Sequence, residues 1–333
     1  MFHPLSLSEL LLNWYDKNGR DLPWRVKGGA HPNPYVILVS EFMLQQTTVK
    51  TVIPYFYRFM ERFPTIYDLA HAHEEDVYQL WQGLGYYSRA RCLHATAQII
   101  VNDFHGQFPR TRKEVLKLKG IGSYTVASFL ALAFNLPETV IDGNVKRIIA
   151  RLYHLTAPLN TLADVIFDKA TALTNPTRAA DYASAIMDLG ATICTPKNPQ
   201  CLLCPWQTYC LSKNMPDLEQ IPQREKISKK EQNGTVYLIY NSKGDILIRK
   251  RTEKGLLSGL YEFPWYDTDN ILRNACYTGK NVTHIFTHIK LNLKIYTLKC
   301  DNPPISDGFF VPPDDLEKYA LSTLMKKVYK AII

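Results

Sequence analysis

The chain of 333 residues contains no run approaching the roughly twenty consecutive apolar residues that a bilayer-spanning helix needs. Its opening, Met1-Phe2-His3-Pro4, lacks the charged-then-apolar pattern of an export signal. Both absences predict a soluble, cytosolic protein with no membrane partner, nucleoid-associated if the source is bacterial. Internal repeats and low-complexity tracts are also missing. Cysteine is scarce outside one segment: Cys92, Cys276 and Cys300 stand far apart, so no disulfide framework is expected. Acidic residues do not dominate. The 39 Lys and Arg exceed the 31 Asp and Glu to give a net charge of +8, which suits a polyanionic partner without establishing one. The length suits two or three domains, with the chain expected to act as a monomer.

What is present begins with Cys194, Cys201, Cys204 and Cys210, four thiols within seventeen residues, spaced C-x6-C-x2-C-x5-C. Thiolates are soft ligands for iron-sulfur clusters or zinc. Zinc ribbons usually place two tight C-x2-C knuckles around a longer loop, whereas this segment has one tight pair with gaps of six and five. The spacing resembles the iron-sulfur loop of DNA-repair glycosylases and predicts a 4Fe-4S cluster, with zinc as the alternative. Pro196, Pro199 and Pro205 deny the loop a regular helix, so something other than backbone hydrogen bonds must fix it.

From Leu7 to about residue 211, apolar residues recur at three- and four-residue steps, and strand-like alternation is almost absent. The pattern predicts a mainly α region. Helices are expected over 7–17, 35–46, 48–63, 74–80, 87–104, 113–118, 123–134, 145–153 and 180–192. Residues 212–232 turn polar and basic, with Pro216, Pro222, Arg224, Lys226, Lys229 and Lys230, and are expected to be a linker. Beyond them, segments at 235–240, 244–249 and 291–298 are β-branched and aromatic, and an amphipathic helix is expected near 321–333. The expected division is therefore 1–211, 212–232, and a small α+β domain over 233–333.

Three sites in the α region carry chemistry. Leu116-Lys117-Leu118-Lys119-Gly120-Ile121-Gly122-Ser123-Tyr124-Thr125 looks like a helix-hairpin-helix, whose two glycines permit positive φ. Free amides opening the second helix, Gly120, Gly122 and Ser123 among them, can hold a DNA phosphate without reading a base. The alternative is a plain helix corner. Val36-Ile-Leu-Val-Ser40-Glu41-Phe-Met-Leu44 sets one acid in an apolar run, where desolvation raises its pKa toward that of a general acid. Asp142, in Val140-Ile-Asp142-Gly143-Asn144-Val-Lys146-Arg147, is a second acid that can equally be a helix N-cap.

Ser40-Glu41-x-Met-Leu-Gln45-Gln46-Thr47, Gly83-Leu84-Gly85-Tyr86-Tyr87-Ser-Arg89, the glycine hairpin, Asp142-Gly-Asn-Val-Lys-Arg and the cysteine quartet follow the order found in A/G-specific adenine DNA glycosylases of the MutY type. The likeness spans roughly residues 7–212. It implies two helical lobes, a six-helix barrel and a cluster-bearing lobe, with the site in the cleft between them. It implies a monofunctional glycosylase that starts base excision repair by releasing adenine mispaired with 8-oxoguanine or guanine in duplex DNA. By that likeness Glu41 protonates the base, Asp142 steadies the sugar cation electrostatically or through a covalent adduct, and Asn144 and Tyr124 orient the acid and the water. Gln46 and Tyr86, with Leu84 beside them, resemble the residues that fill or flank the space the base leaves, and Thr47 joins them as a DNA contact; the alternative is packing in a tight helix turn. An endonuclease III-like glycosylase and lyase would carry a lysine at Tyr124. The other alternative is a non-catalytic iron-sulfur DNA-binding protein, against which the intact Glu41 and Asp142 argue.

Lys250-Arg251 through Gly255-Leu-Leu-Ser-Gly-Leu260-Tyr-Glu262-Phe263-Pro264, with His284-Ile-Phe286-Thr287-His288, resembles the Nudix-related domain that this family uses to read 8-oxoguanine. Phe286, Thr287 and His288 match its recognition loop, with threonine where serine is usual. Only Glu262, Asp267 and Asp269 are acidic between Gly259 and Val282, too few for a Nudix hydrolase. Two departures stand out. The 264–284 stretch is short, and Ser184 replaces the glutamine or glutamate that relatives set against the extruded adenine. Selectivity is therefore expected to rest on Arg20, Trp24 and Arg25.

Overall fold

Two nearly continuous apolar runs, 34–44 and 123–134, become helices hydrophobic on all sides, and such helices bury themselves in a core. The computed structural model describes residues 4–26, 32–223, 229–253, 255–266, 274–286 and 288–332. Its helices run α1 Pro4–Asn18, α2 Pro34–Leu44, α3 Val49–Arg62, α4 Ile66–Ala70, α5 Glu74–Trp81, α6 Ser88–Asp103, α7 Arg112–Val115, α8 Ser123–Phe134, α9 Gly143–Leu152, α10 Ala163–Leu173 and α11 Ala179–Thr192. Strands β1 Lys230–Tyr240, β2 Ile246–Lys250, β3 Tyr261–Glu262, β4 Trp265–Tyr266, β5 Cys276–Ile285, β6 Ile289–Lys299 and β7 Gly308–Val311 follow, and then helix α12 Thr323–Ile332.

The chain divides into two units, one of residues 1–70 with 95–225 and one of 71–94 with 226–333. In the first, α2 packs on α8, and α8 on α11, which also meets α1 and α9. Asn33 caps α2 by accepting from the Tyr35 amide at 2.9 Å, and Pro34 begins it. A second core joins α1, α9, α10 and α11 to Trp206, whose indole donates to the Leu7 carbonyl at 2.8 Å. Both ends of the helical region thus build one lobe. The expected linker is partly structured: Ile221 is buried, its carbonyl accepts from Arg151 Nε at 3.0 Å, and Gln223 accepts from the Leu159 amide at 3.1 Å.

The second unit carries a mixed sheet in the order β3-β2-β1-β6-β5, with β4 on β1 and β7 on β2. Strands β1 and β6 are parallel, paired from Lys230 with Ile289 to Tyr240 with Lys299. Helix α12 covers one face through Leu324, Met325 and Val328. Beside it the buried Glu262 accepts from Arg249 Nε at 3.0 Å, from Arg251 at 3.2 Å and from Trp265 Nε1 at 2.6 Å. Helix α5 packs with this unit: the Gln82 amide donates to the Tyr319 and Leu321 carbonyls, each at 3.2 Å, and Glu75 pairs with Lys250 at 3.2 Å.

Several expectations change. Gln46 lies past the end of α2, and the second helix of the hairpin pair is preceded by only one turn, Arg112–Val115. Helices α4 and α10 and strands β5 and β7 were not anticipated. Strand β1 starts at Lys230, inside the expected linker. Thr287, Asp267 and Asp269 lie outside the described residues, as do Arg224 and Lys226.

Candidate active site

Glu41 sits on α2 among Leu38, Phe42 and Met43 and is 4% exposed. Its Oε2 accepts from Ser128 Oγ of α8 at 2.6 Å. Burial pushes its carboxyl up to about 7; the Asp142 charge adds to the rise, while donors from Ser128 and Tyr124 and the charge of Arg25 oppose it. An acid with this value is protonated in a useful fraction at neutral pH, and its conjugate base can accept a proton in a later step. Tyr124, at the start of α8, is raised well above the ordinary tyrosine value by burial and by the Glu41 and Asp142 charges, and its hydroxyl lies 3.7 Å from Met187 Sδ. The hydroxyl therefore stays protonated as a donor.

Asp142 is the N-cap of α9, accepting from the Val145 amide at 2.7 Å. Its other oxygen accepts from Asn144 Nδ2 at 2.8 Å. Cap and candidate catalytic anion are therefore one residue, because the bond that starts the helix also fixes the carboxylate. Asn144 Oδ1 accepts from Arg147 at 2.9 Å, and Arg147 donates further to the Gly190 carbonyl at 2.7 Å and the Cys194 carbonyl at 2.7 Å. Gly190 is required here because a Cβ on it would lie 2.5 Å from Asn144 Cβ. Glu41, Asp142, Asn144 and Tyr124 thus converge on one locus of the first unit.

Arg20 and Arg25 do something else first. Both clamp Asp188 of α11, whose side chain is wholly buried: Arg20 Nε at 2.7 Å, and Arg25 in a bidentate pair at 2.8 and 2.9 Å. Burial alone would raise Asp188, but the Arg25 hydrogen bonds and the two charges outweigh it and hold the carboxyl low. Trp24 and Arg25 line a cavity of about 340 Å³ with Tyr15, Ile37 and Ser184; Arg20 does not line it. Ile37 is one helical turn before Glu41. Ser184 is buried and hydrogen-bonds Tyr15. Asp188 and Ser128 were missed from sequence, although Asp188 in Ala185-Ile-Met-Asp188-Leu shows the same lone acid among apolar residues that marked Glu41.

At the hairpin, Gly120 has φ +73° as expected, but Gly122 has φ −103° and serves as the N-cap of α8 without a side-chain cap bond. Nothing lies within 4 Å of where a Gly122 Cβ would be, and Ser123, Lys117 and Lys119 are exposed. Gln46, exposed beside Thr47, has φ +56°. In the second unit Tyr86 has φ +48° and is 44% exposed, whereas Leu84 is 5% exposed and belongs to the core. Left-handed conformations at two non-glycine residues store strain, as functional positions often do. Tyr86, Phe286 and His288 line a cavity of about 670 Å³ in this unit, with His284 and Ser258. Nδ1 of His284 is buried there with no hydrogen-bond partner.

The cysteine loop answers how a proline-rich segment is fixed. Arg151 of α9 donates to the Thr195 carbonyl at 2.6 Å and the Pro196 carbonyl at 2.9 Å, and lies 3.6 Å from Cys194 Sγ. Burial pushes the Cys204 thiol up to about 12, and burial and neighbouring thiols also raise Cys201 and Cys210. Three thiols held in the neutral form by burial would ionise only beside a cationic centre, and an all-thiol donor set of four suits an iron-sulfur cluster. A single zinc would draw its four sulfurs to about 3.8 Å from one another. Among the described residues no three such ligands converge on one ion.

Three family models match the chain: the HhH-GPD superfamily base excision DNA repair protein over residues 39–165, the iron-sulfur binding domain of endonuclease III over 194–210 and the NUDIX domain over 235–331. Adenine DNA glycosylase of Mus musculus is 33% identical over 96% of this chain and 76% of its own length. That of Buchnera aphidicola subsp. Baizongia pistaciae is 36% identical over 88% and 84%. Among solved structures, a thermostable thymine-DNA glycosylase superposes with a TM-score of 0.56 at 27% identity, covering 63% of this chain and 96% of that one.

Two outcomes test the geometry. Glu41→Gln cannot ionise, so it escapes the penalty for burying a charge. Because the folded value of about 7 lies above the unfolded 4.5, wild type loses stability as pH rises from 4.5 to 7. The variant should therefore be more stable by about 3 kcal/mol at pH 8, with the gap closing near pH 4.5, as followed by denaturant unfolding. Gly190→Ala should cost about 1–3 kcal/mol in the same measurement, because Asn144 has no room to move aside.

Proposed function

The chain belongs to the adenine DNA glycosylase family, and we propose that it hydrolyses the bond between adenine and deoxyribose where adenine stands opposite 8-oxoguanine in duplex DNA. Release of adenine in base excision repair is the family's activity and this chain's. The observation that carries the assignment of residues is Glu41, a carboxylic acid buried beside a second carboxylate and tuned to about 7.

The target base must leave the stack before its glycosidic bond can be reached. Adenine then enters beside Glu41, toward the cavity of Trp24, Arg25 and Ser184. Glu41 donates its proton to N7, the C1′–N9 bond breaks with its electron pair going to the purine, and positive charge appears on the sugar. Asp142, fixed by the Val145 amide and Asn144, stabilises that charge as the second carboxylate of a glycosidase does. Water adds to C1′ and gives its proton to the Glu41 carboxylate, which restores the acid and leaves free adenine and an abasic sugar. Tyr124 donates toward Glu41 throughout. It offers no amine for a Schiff base, which supports a glycosylase with little or no strand nicking.

Cys194, Cys201, Cys204 and Cys210 would hold the family's 4Fe-4S cluster, whose part is to stiffen the basic loop bearing Lys197 for phosphate contact. The glycine turn at Gly120, Gly122 and Ser123 holds a second phosphate. In the other unit the cavity of Tyr86, Phe286 and His288 receives the base opposite adenine, and the unpartnered His284 nitrogen supports a polar occupant there. Thr287 belongs to the same loop by sequence.

Single-turnover release of adenine from such a duplex should fall as pH rises through about 7, since only protonated Glu41 is competent. Glu41→Gln should lose about a thousandfold at pH 7, and a rate left intact would refute the proton-donor role. Gly122→Ala meets open space at its Cβ and should lower stability by no more than about 1 kcal/mol, the cost of a poorer N-cap, yet weaken duplex binding severalfold in a fluorescence-anisotropy titration. Unaltered binding would make the turn a plain helix corner.

A further inference from the structure

Gln82 is the C-cap of α5 and stands directly before the turn Gly83–Tyr87. That turn is stiff within itself. Trp81 Nε1 donates to the Gly85 carbonyl at 3.1 Å, Arg89 donates to the Leu84 and Gly85 carbonyls at 3.2 and 3.0 Å, and the Gly83 amide donates to the Tyr87 hydroxyl at 3.2 Å. A stiff turn moves as a body, so the position of the Tyr86 ring depends on what holds the turn from outside.

Trp81 and Arg89 anchor the turn to α5 and α6, and the contact that ties it to the facing segment is the Gln82 side chain. Both N–H bonds of its amide are directed at main-chain carbonyls of one short segment, Tyr319 and Leu321, each at 3.2 Å. Gln79, one turn earlier, donates to the Lys318 carbonyl of the same segment. The segment runs on into Ser322, Thr323 and Leu324, which line the 670 Å³ cavity whose other walls include Tyr86, Phe286 and His288. Main-chain carbonyls cannot be displaced without moving the backbone, so Gln82 ties the turn that carries Tyr86 to the segment that supplies Ser322, Thr323 and Leu324 to another wall of that cavity.

We infer that Gln82 is a positioning residue for lesion discrimination: it touches no base, yet fixes the spacing of the two walls that grip the base opposite adenine. The inference rests on the reading of that cavity as the 8-oxoguanine site. Guanine and its 8-oxo form differ by one oxygen and one ring proton, and a site tells such partners apart only while its polar groups are held to within a fraction of an ångström. Loosening the clamp should therefore erode the preference for the oxidised base more than the chemistry of adenine release.

The test compares single-turnover adenine release from duplexes with 8-oxoguanine and with guanine opposite adenine. Wild type comes first: equal rates on the two would sink the reading of the cavity itself and with it the role given to Gln82. Given a preference, Gln82→Met, which keeps the aliphatic stem and loses the donors, should lower the ratio of rates roughly tenfold while leaving the guanine rate and the midpoint of thermal unfolding nearly unchanged. Gln82→Lys, which returns an N–H to the carbonyls, should recover much of the ratio. A purely structural residue would lower both rates together and shift unfolding. An unchanged ratio in Gln82→Met overturns the inference. Should that variant fail to fold, Gln79→Met removes the neighbouring donor and is read the same way.

Discussion

The structure of the site depends on one costly placement: a carboxyl buried between two apolar helices with a single close hydroxyl donor, Ser128, at 2.6 Å. A charged group in such a place would be destabilising, and the protein resolves this by letting the acid stay protonated near neutrality. The same desolvation that raises Glu41 to about 7 suits it to the proposed role of proton donor, so that role and the folding cost would have one cause. The donors around it are balanced. Ser128 and Tyr124 favour the anion, and the Asp142 charge favours keeping the proton.

Asp188 is the contrasting solution on the same scaffold. It too is an acid inside an apolar helix, yet Arg20 and Arg25 surround it with charge-assisted bonds, and its carboxyl is held low. A buried carboxylate paired in this way costs several kcal/mol to unpair, so both arginines are committed to the fold before they can serve a ligand. Arg25 keeps an edge on the cavity with Trp24 and Ser184, and Arg20 does not. Ser184 and Tyr15 add a short hydroxyl and a tyrosine to the same wall, so the polar lining of this cavity is not left to the arginines alone.

Much of this was legible in the sequence, for physical reasons that also mark the limits. An isolated acid in an apolar run has few ways to be accommodated, which is why Glu41 could be named. Asp188 carries the same signature and went unread because nothing nearby in sequence shows its arginines, more than 160 residues away. Helices with long apolar periods were found to within three residues at either end. Strand β5 was not, because it is an edge strand of mostly exposed polar residues, Cys276-Tyr-Thr-Gly-Lys-Asn, and lacks the alternation that a half-buried strand displays. Leu84 looked available for contact with DNA because its neighbours are glycines and tyrosines. Only packing shows that it faces inward while Tyr86 faces out.

Helix α9 shows how far one segment can bind distant chemistry together. Its first turn presents Asp142 and Asn144, its middle buries Arg147 on the Gly190 and Cys194 carbonyls, and its last turn sends Arg151 into the cysteine loop. Guanidinium groups suit this task because each offers several fixed donors to carbonyls that proline and tight turns have left without helical partners. Loss of order in the cysteine loop would then be felt first at Arg147, next at Asn144 and then at the carboxylate that Asn144 holds. Such a path needs no electron transfer. A cluster that only shapes its loop can therefore still matter to hydrolysis performed elsewhere in the same lobe.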